Sequence, residues 1–188
     1  MKNKFIEVYD DLLPENLCNF LEDSFYTRDT RMAVPFHATE TLTDKRNTSK
    51  PDYGFFHVFF DDEQSCPINS HLVNFLLTPL YTLAISKNIA IKGIYQGRCF
   101  LQMPDLNPRP QDPHVDIEDF PHWVCLYYIN DSDGDTIFYE DDKKTEIKRI
   151  SPKKGRIAFF DGTIWHSGSK PSFSRRGVIN IIFNGEQI

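Results

Sequence analysis

Hydrophobic positions recur along this chain with two different periods, and the change from one to the other falls near residue 90. "KFIEVY", residues 4–9, alternates with period two and predicts a short strand. In "LLPENLCNFLEDSF", Leu17, Phe20, Leu21 and Phe25 recur at helical spacing, and Pro14 suits a first helical turn. Residues 28–54 are polar and without a long period, which predicts a loop with room for one strand, a candidate lid or substrate loop. "YGFFHVFF", residues 53–60, reads as an aromatic strand, and residues 69–88 as one or two helices broken or kinked at Pro79.

Beyond residue 90 short β runs follow one another: "IKGIYQGRCFLQM", "HWVCLYYIN", "DTIFYE", "TEIKRI", "GRIAFF" and "GVINIIF". Turn-forming stretches such as "NPRPQDP", "NDSDGD" and "SPKKG" separate them. Even spacing of this kind predicts a mainly β fold with supporting α-helices, built on a double-stranded β-helix (jelly roll) core. The expected organisation is a single domain over residues 1–188, with helical support in 1–89 and the jelly-roll core in 90–188.

Composition narrows the function classes. The chain of 188 residues is 40% hydrophobic and 26% charged, the profile of a folded globular protein. A net charge of −6 argues against a broad nucleic-acid surface, which needs clustered Lys and Arg. Cys18, Cys66, Cys99 and Cys125 form no CxxC pair, so zinc-knuckle and thioredoxin-type sites are not expected. The opening "MKNKFIEVYDDLL" is too charged for a secretory or membrane-spanning segment, which predicts a cytoplasmic protein with free thiols.

Candidate chemistry sits in three places. In "DPHVDIED" an extended backbone would turn His114 and Asp116 to one side, able to share an ion. In "FFDGTIWHSG" the strand Ile157 to Phe160 runs out at Asp161–Gly162, and His166 follows as a third candidate ligand. Two histidines and one carboxylate leave coordination positions open, the facial arrangement of non-haem Fe(II) oxygenases. The third place is "SRRGVINIIFN". Arg175 shares a strand face with Gly177, Ile179, Ile181 and Phe183, which belongs in a packed core. Arg176 shares one with Val178, Asn180 and Ile182, which better suits a ligand pocket, so Arg176 is favoured as an anion anchor.

HxD, a histidine 50 residues after the aspartate and an arginine ten residues later resemble the Fe(II)- and 2-oxoglutarate-dependent dioxygenases, and most closely their prolyl-4-hydroxylase-like branch with its small bacterial and phage members. "LYYINDSDGDTIFYE" is similar to that branch's Gly-Gly-x-Thr-x-Phe segment, with the second glycine position offset to Asp133–Gly134. "KKGRIAFFDGTIWHS" is similar to its second-histidine strand, and "FIEVYDDLLPENLCNFLED" to its opening. The resemblance implies Fe(II) on His114, Asp116 and His166, 2-oxoglutarate as cosubstrate with its far carboxylate on Arg176, and O2 as oxidant. Many prolyl hydroxylases place a tyrosine on the strand before HxD; here that strand is "RCFLQMP", leaving Gln102, or Tyr128 on the next strand, as the further cosubstrate contact. The implied reaction is hydroxylation of a peptide or small molecule, a peptidyl proline among them.

Other polar residues read as bystanders. His122 is expected at a rim or in the core, His37, His57 and His71 lack partners at metal spacing, and Asp112, Glu118 and Asp119 form a solvated loop. "DSDGD" lacks the frame of a calcium loop and reads as a hairpin turn. Two alternatives stay open: a nucleobase-directed oxygenase, and a catalytically inactive jelly-roll binding module.

Overall fold

The computed structural model describes residues 4–29, 31–39, 54–64 and 67–188. Most of the expected loop at 28–54 lies outside them, as does Cys66. Ten strands and three helices follow in the order β1 (Ile6–Tyr9), α1 (Glu15–Tyr26), β2 (His37–Thr39), β3 (Gly54–Asp61), α2 (Val73–Leu76), α3 (Thr78–Lys87), β4 (Ile89–Gln102), β5 (Trp123–Tyr128), β6 (Thr136–Tyr139), β7 (Glu146–Ile150), β8 (Ile157–Asp161), β9 (His166–Gly168) and β10 (Arg176–Gln187).

Helix α1 begins directly after Pro14, whose fixed φ needs no amide donor, and Glu15 complements the positive end of the helix dipole. Its buried face is Cys18, Leu21, Ser24 and Phe25; Phe20 stays half-exposed and meets the Phe75 ring edge-on at 4.6 Å. The break in the second helical stretch falls at Leu77, and Pro79 sits in the first turn of α3, where its ring costs no hydrogen bond. Asn88, in the left-handed region at φ 52°, closes that helix.

Two antiparallel sheets face each other. The larger runs β1-β8-β5-β10-β4-β3-β2 and the smaller β7-β6-β9. Alternation sorts the core into two layers. Ile179, Ile181 and Phe183 of β10 turn toward the helices with Cys99, Cys125, Leu21 and Leu80, whereas Val178 turns into the sandwich with Leu126, Tyr128, Phe138 and Phe160. The all-apolar face read from the sequence is therefore the helix-backed one.

Three local readings change. The strands expected at 4–9 and 53–60 form, but they join the main sheet rather than a separate helical support: β1 and the β3–β2 pair occupy the two edges of the larger sheet. The "DSDGD" segment is not a hairpin turn: β5 lies in one sheet and β6 in the other, so it carries the chain across the sandwich. Asp133 braces that crossing by accepting bonds from the Ser172 amide (2.7 Å), the Ser172 hydroxyl and the Ser174 hydroxyl (2.9 Å). His166 opens a three-residue strand that the sequence pattern did not announce.

His57, on β3, is buried with its Nε2 unpartnered. Burial, helped by the charges of His37 and His71, pushes its pKa down to about 4. Unfolded histidine titrates near ~6.5, so between these values the unfolded chain binds the proton and the native one does not. Stability is expected to fall as the pH drops through that window. His57→Phe should flatten this part of a melting-temperature profile; an unchanged slope would remove His57 as the cause.

Candidate active site

The open end of the sandwich gathers the predicted ligands. Residues 110–114 lie along β9: Pro110 bridges Ser169, and His114 bridges His166. His114 and His166 exchange both backbone hydrogen bonds, each 2.9 Å, so the two residues stand directly opposite and their side chains leave on one side. The rings lie 4.9 Å apart. His114 Nδ1 bonds the Asp112 carbonyl at 3.1 Å and His166 Nδ1 the Ile164 carbonyl at 2.9 Å. Each of these bonds places the proton on Nδ1 and leaves Nε2 as the lone-pair atom, the tautomer a metal ligand needs.

Asp116 follows in a bend rather than in a regular strand. Its Oδ2 is 3.6 Å from His166 Nε2, and one ligand atom from each of His114, Asp116 and His166 falls within 4.8 Å of the other two. The Asn180 amide donates to both Asp116 oxygens, at 3.2 and 3.3 Å. Burial would raise the Asp116 pKa, but the hydrogen bond and charge of His166, with His114 and Arg98 beyond, hold it well below the usual carboxylate range. Burial likewise works against a charged His166, and Asp116 outweighs it, raising that pKa. The trio thus offers one ionised oxygen and two imidazole nitrogens around a common point.

Arg176, buried at the start of β10, donates Nε to the Gly134 carbonyl (2.7 Å), Nη1 to Gln102 Oε1 (3.1 Å) and Nη2 to Thr136 Oγ1 (2.9 Å). All three acceptors are neutral, and no carboxylate among the described residues lies within ion-pair distance of it. Burial lowers its pKa from the free value, yet a guanidinium keeps its proton in proteins. Gly134 and Gly168 make room for it. A β-carbon at Gly134 would come within 2.6 Å of the Ser169 carbonyl and 2.9 Å of Arg176 Cδ, and one at Gly168 would stand 3.4 Å from both terminal guanidinium nitrogens.

His114, Asp116, His166, Gln102 and Arg176 all line one cavity of about 810 Å3, whose apolar lining includes Leu126, Phe160 and Val178. Tyr128 lies behind that wall: its buried hydroxyl donates to Thr136 Oγ1 at 2.8 Å, and Thr136 in turn accepts from Arg176. Arg175 points the other way, over the Tyr26 ring at 3.9 Å. His122 packs under Gly162, and His71 bonds the Arg31 carbonyl at 3.0 Å, so neither joins the trio. Trp165 lines the cavity, with Lys143 Nζ 3.6 Å above its ring.

Two participants were missed in the sequence. Thr136 carries no local signal of its part beyond its place at the end of the crossing segment. Arg98 lines the cavity from the same face of β4 as Gln102, an i, i+4 relation the strand pattern contained.

Two facing antiparallel sheets of this topology make a fold similar to that of solved 2OG-Fe(II) oxygenases. An oxidoreductase of the 2OG-Fe(II) oxygenase family from Burkholderia pseudomallei superposes with a TM-score of 0.70 at 8% identity, covering 95% of this chain and 84% of that one. A prolyl hydroxylase from Trichoplax adhaerens, solved with a hypoxia inducible factor peptide fragment, gives 0.63 at 16% identity over 95% and 82% of the two chains. The non-heme alpha ketoglutarate dependent epimerase SnoN from nogalamycin biosynthesis gives 0.63 at 11% identity over 97% and 78%. At such identities the likeness is one of fold, and it bears out the double-stranded β-helix expected from the strand pattern. Comparison with protein-family models and with curated protein sequences gives no match. No helix among the described residues is long and apolar enough to cross a membrane.

Proposed function

We propose that this chain is an Fe(II)- and 2-oxoglutarate-dependent dioxygenase that hydroxylates a C–H bond of a peptide or small molecule. The observation that carries this reading is the pairing, in one cavity, of a His-Asp-His trio with a buried arginine that has only neutral partners. A buried guanidinium is costly without an anion, and a dicarboxylate that also chelates a metal answers both features at once.

The residues present fit the two groups. His114, Asp116 and His166 would hold Fe(II) through Nε2, a carboxylate oxygen and Nε2. Arg176 would take the far carboxylate of 2-oxoglutarate, oriented by Gly134, Gln102 and Thr136, with Tyr128 acting through Thr136. When bound, iron and 2-oxoglutarate supply the oxidising power: O2 gives one atom to succinate as CO2 leaves, and the other to the substrate. The protein's part is to orient and to keep water out. Asn180 fixes the Asp116 carboxylate, the two Nδ1 bonds fix the imidazoles, and Leu126, Phe160 and Val178 make that part of the cavity apolar.

A peptidyl proline is one substrate this reading admits, in keeping with the peptide-bound prolyl hydroxylase among the structural neighbours. The acids at the mouth, Asp61 and Glu118 among them, disfavour a phosphodiester and with it the nucleobase alternative. Protein reconstituted with Fe(II), 2-oxoglutarate and O2 is expected to release succinate and CO2 in equal amounts. Saturable binding of metal and 2-oxoglutarate without any succinate would instead favour the inactive binding module.

A further inference from the structure

Arg98 occupies the middle of β4, opposite Asn180 on β10 and Val58 on β3, and its side chain lines the catalytic cavity. It is only partly exposed, yet among the described residues its guanidinium makes no hydrogen bond and no ion pair. Four other arginines have partners: Arg156 on Asp10, Arg149 on Glu146, Arg31 on Asp29, Arg175 over Tyr26. Asp116, Asp61 and Glu63 lie near enough to act on the Arg98 charge without touching it, and Asp116 already serves the trio and Asn180.

Position separates Arg98 from the cosubstrate anchor. Gln102, which bonds Arg176, is four residues along the same strand, roughly 13 Å at the usual rise. Arg98 sits instead beside Asn180 and therefore beside Asp116, on the side of the trio away from Arg176. That is where a second reactant must lie. A guanidinium facing this space calls for an oxyanion, and a carboxylate matches its fork. Asp61 and Glu63 adjoin Arg98 along the wall of a second cavity of about 380 Å3, lined on another side by the Tyr95 and Phe120 rings, tilted against each other with centroids 4.7 Å apart. A bare anion would be repelled by these acids. A molecule carrying an ammonium group next to its carboxylate would not.

We propose that Arg98 binds the carboxylate, and Asp61 with Glu63 the ammonium group, of a zwitterionic substrate, a free α-amino acid. The inference rests on the oxygenase reading above and names the substrate class of the same site.

The test is binding by saturation-transfer NMR to protein loaded with Ni(II), a redox-inert stand-in, and 2-oxoglutarate. Each of the common free amino acids is compared with its carboxamide, its N-acetyl derivative and a tripeptide blocked at both ends. At least one free amino acid is expected to bind and to lose binding in the amide and N-acetyl forms. Its Kd should rise roughly 10- to 100-fold in Arg98→Gln, the loss of a charge-assisted bond, and recover in part in Arg98→Lys. Equal binding of acid and amide, unchanged binding to Arg98→Gln, or binding of the blocked tripeptide alone overturns the assignment and, in the last case, points to peptide substrates. Uptake of Ni(II) and 2-oxoglutarate with no amino acid bound overturns this inference and leaves the oxygenase reading intact. Failure to take up Ni(II) and 2-oxoglutarate overturns both.

Discussion

Asp116→Ala is expected to abolish the response of this protein to divalent metal. The carboxylate is the only anionic member of the His114–Asp116–His166 trio, and its removal leaves two imidazoles about a point that no longer attracts a cation. Loss of an outer partner of a metal site already costs ~10- to 100-fold in affinity, and loss of the sole charged ligand should cost more than ~100-fold. The consequence is readable as stability. Metal at about 100 times its Kd adds about 2.7 kcal/mol to the wild type, and a hundredfold weaker site would gain only about 0.4 kcal/mol at the same concentration. For a chain of this size that is a rise of about 5–10 °C against about 1 °C in a Mn(II) titration followed by thermal melting. The change on adding metal is the quantity to compare. Asp116→Ala also strands the Asn180 amide, whose two bonds both go to this carboxylate, and that alone lowers the metal-free stability by about 1–3 kcal/mol. A full metal response in the variant would remove Asp116 from the ligand set.

Arg176→Met should behave in the opposite way. Metal uptake is expected to survive, because Arg176 bonds Gly134, Gln102 and Thr136 and none of the trio. Binding of 2-oxoglutarate, measured by calorimetry on the Mn(II) form, should weaken by about 30- to 5000-fold, the usual range for truncating one partner of a buried charge pair. The variant without cosubstrate should melt at the wild-type temperature or above it. Three hydrogen bonds to neutral oxygens are lost, each worth about 1 kcal/mol, while the larger cost of holding an unpaired guanidinium out of water disappears. Arg176→Lys keeps the charge without the fork and should fall between the two. Marked destabilisation combined with unaltered 2-oxoglutarate affinity would mean that Arg176 is a structural residue.

What could be read from the sequence follows from the distance over which each signal acts. His114 and Asp116 were legible because their relation spans two residues. The choice of Arg176 over Arg175 was legible because strand alternation is local and its two faces differed sharply in polarity. The arrangement that brings these pieces together was not. Nothing in "GVINIIF" says that β10 lies between β4 and β5, or that His114 faces His166 across an isolated bridge. Tyr128 shows the same limit in a single side chain. Its place on β5 makes it a candidate cosubstrate contact in the sequence, but its hydroxyl is taken up by Thr136, a partner on the opposite sheet. Arg98 is legible by the same local alternation, since it shares the Gln102 face of β4.

The segment that carries His114 has a second task. Strand β9 is one of the two edge strands of the smaller sheet, and residues 110–114 lie over its free side through the Pro110–Ser169 and His114–His166 bridges. An uncovered strand of this kind is a template for pairing with another molecule. Substitutions that loosen this segment would therefore expose an adhesive edge at the same moment that they dismantle the ligand set, so inactivation and self-association would be inherited together.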